Sequence, residues 1–172
     1  MGGMGIVMSG LKKATLLAVV LGLSACSNAV WDNAGGSGTG TSPGGSNLDP
    51  ASPAYFQQEV GDRVLFPVDQ STLSAEATTI LQGQARWLTA NPDYVVTIQG
   101  HADEQGTREY NLALGARRAN EARDFLIGQG IAGTRIQVVS FGKERPLEIC
   151  SAESCYAKNR RAVTVLAGGL TG

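Results

Sequence analysis

The densest run of chemically capable side chains is Gly100-His101-Ala102-Asp103-Glu104-Gln105-Gly106-Thr107-Arg108-Glu109-Tyr110-Asn111. It ends in the start of a helical pattern, where free backbone N–H groups attract anions. Asn111, Leu114 and Arg118 then recur at i, i+3 and i+7 and share one helix face. That face differs from the apolar stripe of the same helix, so Arg118 is expected to look outward beside the loop carrying Asp103. The two would offer opposite charges across a short gap, which suits a ligand bearing both an ammonium and a carboxylate. Arginine fits the second task because its planar fork grips a carboxylate with two bonds. A direct pairing of Asp103 with Arg118, or of each with the backbone, accounts for the spacing equally well. Truncating either residue is expected to remove ligand binding and leave the fold intact.

Catalysis is not expected from this segment. His101 and Asp103 alternate along the chain, but no serine or cysteine is arranged beside them as a nucleophile. His101 is read as a hydrogen-bonded structural residue. It is the only histidine, and Cys150 and Cys155 form a lone Cys-x4-Cys pair, so a zinc site lacks ligands. No metal or cofactor is therefore expected. Lys158-Asn159-Arg160-Arg161 reads as a solvated approach to a strand, with pairing to acidic loops as the alternative, and Arg117 and Glu121 as a surface i, i+4 pair.

The elements that must hold these residues follow from periodicity. Arg63-Val64-Leu65-Phe66 is a short strand stopped by Pro67. Ser74 suits an N-cap, followed by Ala77, Ile80, Leu81, Ala85 and Leu88 at helical spacing, until Asn91-Pro92 ends the helix. Tyr94 to Gln99 is β-branched and partly alternating, hence a strand. Thr107 caps a second helix running to about Ile127, with Leu112, Ala116, Ala119, Ala122 and Leu126 as its inner stripe and Gly128 as its stop. Ile136 to Phe141 and Ala162 to Leu166 are two further strands, separated by the cysteine loop. The order β-α-β-α-β-β predicts an α+β domain of two layers, with the helices on one face of a small mixed sheet.

The N-terminal part is of another kind. Lys12 and Lys13 precede an apolar run from Ala14 to Leu23, then Ser24-Ala25-Cys26. Charge, apolar core and small residues in that order make a secretory signal, and the run is too short to span a bilayer. Its end resembles the bacterial lipobox, which implies that Cys26 is lipidated and becomes the first residue of the mature chain. Residues 1–25 are thus read as signal peptide, 26–54 as a lipidated flexible linker and 55–172 as the folded domain. Ser27 to Pro53 is rich in Gly, Ser, Thr and Pro without apolar period, a composition that cannot bury enough surface to fold. Such a linker of about 27 residues spans roughly 30 Å on average, and about 90 Å drawn out. Assigning Cys26 to lipid leaves Cys150 and Cys155 as an even pair in an oxidising compartment, and a disulfide is favoured over a metal half-site. With 14 Lys+Arg against 15 Asp+Glu and no basic stripe, nucleic acid is not an expected partner.

Three stretches together resemble the peptidoglycan-associated lipoproteins, an OmpA-like family. They are Gly100 to Ala119, Val139-Ser140-Phe141-Gly142-Lys143-Glu144-Arg145-Pro146, and Ala157-Lys158-Asn159-Arg160-Arg161-Ala162-Val163. The resemblance covers the domain from Val64 to Leu166. It implies an OmpA-like fold that binds the stem peptide of peptidoglycan, without cleaving it, through meso-diaminopimelate. Carried over by position, Asp103 and Arg118 match the two anchors for diaminopimelate, and Phe66, Asp69, Thr107, Asn111 and Leu114 match pocket-lining positions. Pro67 and Val68 stand where relatives often carry an acidic residue or glycine. The resemblance also implies an anchor in the outer membrane, facing the periplasm, and partnership with TolB and the other Tol proteins in envelope integrity and constriction at division. The competing expectations are an OmpA-like wall-anchoring lipoprotein outside that system and a wall hydrolase.

Overall fold

The computed structural model describes residues 48–167. Cys26, the signal segment and most of the expected linker lie outside those residues. The described part holds a four-stranded sheet in the order β1-β4-β2-β3, built from β1 (Arg63–Leu65), β2 (Val95–His101), β3 (Ile136–Gly142) and β4 (Arg161–Ala167). β4 runs antiparallel to both β1 and β2, whereas β2 and β3 are parallel. A parallel pair needs a long crossover, and α3 (Arg108–Gly128) supplies it. The mixed two-layer arrangement is the one that the alternation of patterns predicts.

One sheet face is covered. Val64, Val96, Ile98, Ile136 and Ala162 join Leu81, Ala85 and Leu88 of α2 (Ala75–Ala90) and Ala119, Ala122 and Leu126 of α3 in a single core. The opposite face leaves Leu65, Val95 and Val165 exposed. Ser74 caps α2 by accepting from Ala77 N at 3.1 Å, and Thr107 caps α3 by accepting from Tyr110 N at 3.2 Å, both as their positions foretell. Buried polar groups find partners too: Thr164 Oγ1 donates to Gln84 Oε1 at 2.8 Å, and Gln84 Nε2 donates to Gly61 O at 2.7 Å.

Three elements depart from the sequence pattern. The linker reading runs to residue 54, yet the chain is already engaged before it. Trp87 Nε1 donates to Pro50 O at 2.8 Å and Tyr94 Oη to Ala51 O at 3.2 Å. Ser52 then caps a turn, α1 (Pro53–Tyr55), that continues as a π-helical segment, Phe56–Gly61. Phe56 packs on Trp87 with ring centroids 4.8 Å apart. These anchors are backbone carbonyls, which composition does not reveal.

Second, the cysteine loop contains a helix, α4 (Glu153–Asn159), too short for a 3.6-residue pattern to register and without a side-chain N-cap. Cys150 and Cys155 are joined in a disulfide, with their Cα atoms 6.0 Å apart. A ring this short limits the unfolded chain by about 2 kcal/mol.

Third, the inner stripe of α3 is Asn111, Leu114, Gly115, Arg118, Ala119, Ala122 and Leu126, while Leu112 is exposed. The expectation that Arg118 faces outward is overturned. The stripe is rotated because Gly100 on β2 and Gly115 on α3 meet backbone to backbone. A Cβ on Gly100 would stand 1.9 Å from Gly115 O, and one on Gly115 would stand 2.5 Å from Ser140 Oγ. That contact presses the first half of α3 onto the ends of β2 and β3, where only polar side chains reach the backbone groups left there.

Gly100→Ala should therefore cost roughly 3 kcal/mol in urea unfolding, because neither backbone can yield without disturbing the sheet. Gly128, whose Cβ would meet nothing within 4 Å, is the control. Gly128→Ala should be neutral or stabilising by up to about 1 kcal/mol.

Candidate functional site

The site is built around Arg118, the largest fully buried side chain among the described residues. Its Nε donates to Gln70 O at 2.8 Å, Nη1 to His101 O at 2.9 Å and Nη2 to Pro67 O at 3.1 Å. Its guanidinium carbon lies 5.3 Å from the centre of the Phe66 ring. One side chain thus ties α3 to the end of β2 and to the loop that follows β1. Burial pulls the Arg118 pKa down to about 10, with the Asp103 charge opposing and the Arg160 charge adding to the fall. Three of the five guanidinium N–H groups are committed to these carbonyls.

Asp103 follows β2 and is nearly buried. Its Oδ2 accepts from Arg160 Nη1 at 3.1 Å and its Oδ1 from Gln105 N at 3.3 Å. Asp103 and Arg118 are not paired with each other among the described ion pairs. The alternative in which they neutralise one another is thereby replaced by a relay, with Arg160 on Asp103 and backbone carbonyls on Arg118. Asn111, also buried, donates from Nδ2 to Gln105 O at 2.7 Å and fixes the loop. Asp69 sits at φ 58°, a left-handed backbone conformation uncommon for a non-glycine residue and found in strained functional loops. Its Oδ1 accepts from Tyr110 Oη.

These residues surround a cleft of about 300 Å³. Asp69, Asp103, Asn111 and Leu114 line it, as the sequence expects. Phe66 and Arg118 lie outside the lining, and Thr107 serves as the N-cap of α3. Val68, Gln105, Gly106 and Tyr110 complete the walls; all four are noted in the sequence but are not numbered among the expected site residues. A larger groove of about 680 Å³ runs beside α2 between Tyr55, Ile80 and Trp87, and contains none of the expected site residues. The cleft's polar groups are two carboxylates, a phenol and amides on a rigid floor. That set suits a small polar ligand with a positive end.

Arg160 is the main residue that the sequence reading leaves out of the site, and the acidic-loop alternative for its cluster is the one the structure shows. The cluster Lys158 to Arg161 is not a solvated strand approach: Asn159, Arg160 and Arg161 are all buried. Arg160 bonds Asp103, Glu153 and, through Nε at 3.2 Å, Phe66 O. Asn159 Oδ1 accepts from Leu147 N and Glu148 N, while its Nδ2 donates to Glu104 Oε1 at 2.7 Å. The available signal was an Asn-Arg-Arg run entering a strand with no acidic neighbours of its own. Arg117 is not paired with Glu121 among the described ion pairs and lies instead over the Tyr110 ring, 6.0 Å from its centre.

His101 is structural but not hydrogen-bonded as expected. Neither ring nitrogen has a partner of normal geometry, and the ring lies 5.5 Å from that of Phe141. Burial, reinforced by the charges of Arg161 and Arg145, pushes its pKa down to about 4.

With that geometry in place, the OmpA family model matches residues 65–160, the span from the end of β1 to the Asp103–Arg160 pair. The chain belongs to the OmpA family. Among its relatives, the peptidoglycan-associated lipoprotein of Agrobacterium fabrum is 47% identical over 154 residues, covering 88% of this chain and 85% of the relative. The protein of the same name from Brucella melitensis is 50% identical over 139 residues, covering 80% of this chain and 79% of the relative. The crystal structure of the peptidoglycan-associated lipoprotein from Burkholderia pseudomallei superposes with a TM-score of 0.64 at 35% identity, covering 69% of this chain and 100% of that one. The C-terminal domain of Helicobacter pylori MotB shares the fold with a TM-score of 0.59 at 16% identity. The OmpA-like cleft of this chain therefore rests on a scaffold common to proteins of quite different sequence.

Two outcomes follow for this OmpA-like site. Arg118→Ala should not leave the fold intact. It removes a donor from the carbonyls of Pro67, Gln70 and His101 at once and should cost roughly 3 kcal/mol or more by denaturant titration. The depressed His101 pKa makes the native state refuse a proton that the unfolded chain accepts below pH 6.5. Stability contributed by His101 is thus full above pH 6.5 and declines as pH falls toward 4. The loss over that window should be about 3 kcal/mol, and His101→Gln should remove that slope from a plot of unfolding free energy against pH.

Proposed function

We propose that this protein binds peptidoglycan non-covalently through meso-diaminopimelate and ties the cell wall to the outer membrane through lipid on Cys26. Its homology to lipoproteins named for association with peptidoglycan makes it a binding protein and not an enzyme. The observation that carries the ligand assignment is the cleft itself, where Asp103 presents a carboxylate over a floor held rigid by Arg118. Diaminopimelate ends in an ammonium and a carboxylate on one carbon. Asp103 takes the ammonium, with Asp69 adding negative charge across the cleft. The positive charge of Arg118, buried behind the cleft floor, draws the carboxylate, and Tyr110 and Asn111 close on the side chain. Nothing in this arrangement attacks a bond, so the wall is held and released intact.

The same loop face is assigned to TolB, so that wall and TolB compete for it within the Tol–Pal system during envelope constriction. Support for that finer role is the family membership together with the resemblance in the three sequence stretches. The expected anchor at Cys26 and the linker after it supply the other end of the link.

The deciding experiment is co-sedimentation with insoluble wall of two chemistries. The protein should pellet with meso-diaminopimelate wall and remain in solution with lysine-type wall, which lacks the terminal carboxylate. Asp103→Asn should lose most of the binding, by about tenfold or more, since the ammonium then faces an uncharged amide. Equal pelleting with both walls would overturn the ligand assignment. Competition by purified TolB tests the shared face.

A further inference from the structure

The disulfide ring lies outside the cleft yet is wired into it by one carboxylate. Glu153 stands inside the Cys150–Cys155 ring as the first residue of α4. Its Oε2 accepts from Arg160 Nη1 at 3.4 Å and its Oε1 from Arg160 Nη2. Arg160 gives its remaining bonds to Phe66 O and to Asp103 Oδ2. The charge that faces Asp103 is thus shared with a second acid, and how it is shared decides how much of the Asp103 carboxylate is left for a ligand.

Two features make the position of Glu153 depend on the ring. First, α4 has seven residues, and Ala152 at its N-cap offers no side-chain acceptor. A helix of that length does not hold itself together in water. Only the Ala152 carbonyl, accepting from Cys155 N at 3.0 Å and Tyr156 N at 3.1 Å, closes its first turn. Second, the Glu153 side chain is 63% exposed. An ion pair whose acid stands in solvent is weak, too weak to fix a helical turn unaided.

We infer that the Cys150–Cys155 disulfide is a positioning device for the ligand cleft, holding Glu153 on Arg160 so that Asp103 Oδ1, which accepts from Gln105 N, is spared a second bond from Arg160 and can still accept from a cationic ligand. When the ring is open, Glu153 leaves with the first turn of α4. Arg160 then swings both Nη groups onto Asp103 in a two-bond fork and neutralises it, and the ammonium of the ligand meets an acid already paired. Glu153 and the two cysteines act through Arg160 and need not touch the ligand. The inference rests on the reading of Asp103 as the ammonium acceptor.

The test is calorimetric titration of the full-length chain with the tripeptide L-alanyl-γ-D-glutamyl-meso-diaminopimelate, at a temperature where circular dichroism shows every variant folded. Glu153→Gln in the intact ring and the Cys150→Ser/Cys155→Ser double variant should each weaken binding roughly fivefold, the equivalent of one partly exposed ion pair. The triple variant should be no weaker than either, because both changes break one relay. Wild-type affinity in the cysteine variant would overturn the inference, as would losses that multiply in the triple variant. A wild-type chain that fails to bind the tripeptide would sink the ligand assignment instead. In that event the 15N spectrum of Arg160 Nε–H decides the relay without any ligand. The same shift in the cysteine variant and in Glu153→Gln supports it, and an unmoved signal in the cysteine variant refutes it.

Discussion

A charged guanidinium with no water around it is the constraint on which the rest of this domain depends. Arg118 is fully buried, and its cost of desolvation is visible in the fall of its pKa to about 10. The charge is tolerable because three carbonyls from two separate segments turn their oxygens toward it. Those segments are the loop after β1 and the last residue of β2. Both lie where regular strand pairing ends, so the arginine and the loop solve each other's problem. The cleft floor is therefore rigid for an electrostatic reason, whatever occupies the cleft above it.

A second arginine plays a different part. Arg160 is also buried, but its partners are acids, Asp103 and Glu153, as well as Phe66 O. Where Arg118 is locked to backbone, Arg160 is balanced between two carboxylates. The domain thus places one immobile cation under the cleft and one shareable cation beside it. Burying two like charges so near one another is unfavourable, and the intervening carboxylate of Asp103 offsets it.

Much of this was legible in the chain. Ser74 and Thr107 announce their helices because a short polar side chain before an apolar period has few other uses. The β-branched runs at residues 95–98 and 136–139 announce strands for similar reasons. Asp69, Asp103, Asn111 and Leu114, carried over by family resemblance, do meet at one cleft. What was not legible has mostly one physical origin, the use of backbone as partner. Arg118 was placed outward because a charged residue among alanines ordinarily is, and no side-chain pattern shows three free carbonyls waiting nearby. The rotation of the α3 stripe depends on the meeting of Gly100 and Gly115, a fact about two distant residues that periodicity within one helix cannot contain. Arg160 and Asn159 were read as solvated for a different reason, since their acidic partners Asp103, Glu153 and Glu104 lie in segments that only the fold brings together.

The clasp at the start of the described chain has a mechanical meaning. β1 is an edge strand of three residues, paired antiparallel with β4 alone, and an edge strand pulled from its end opens one bond at a time. Tension arriving along the preceding chain does not reach β1 first. It meets Pro50 and Ala51, whose carbonyls are gripped by the indole of Trp87 and the phenol of Tyr94, and then Phe56 wedged against Trp87. Those aromatic rings pass the strain into α2 and the core, where many contacts must break together. The weakest edge of the sheet is thus placed downstream of a strain relief, in the way that a cable is clamped to its housing before it reaches the solder joint.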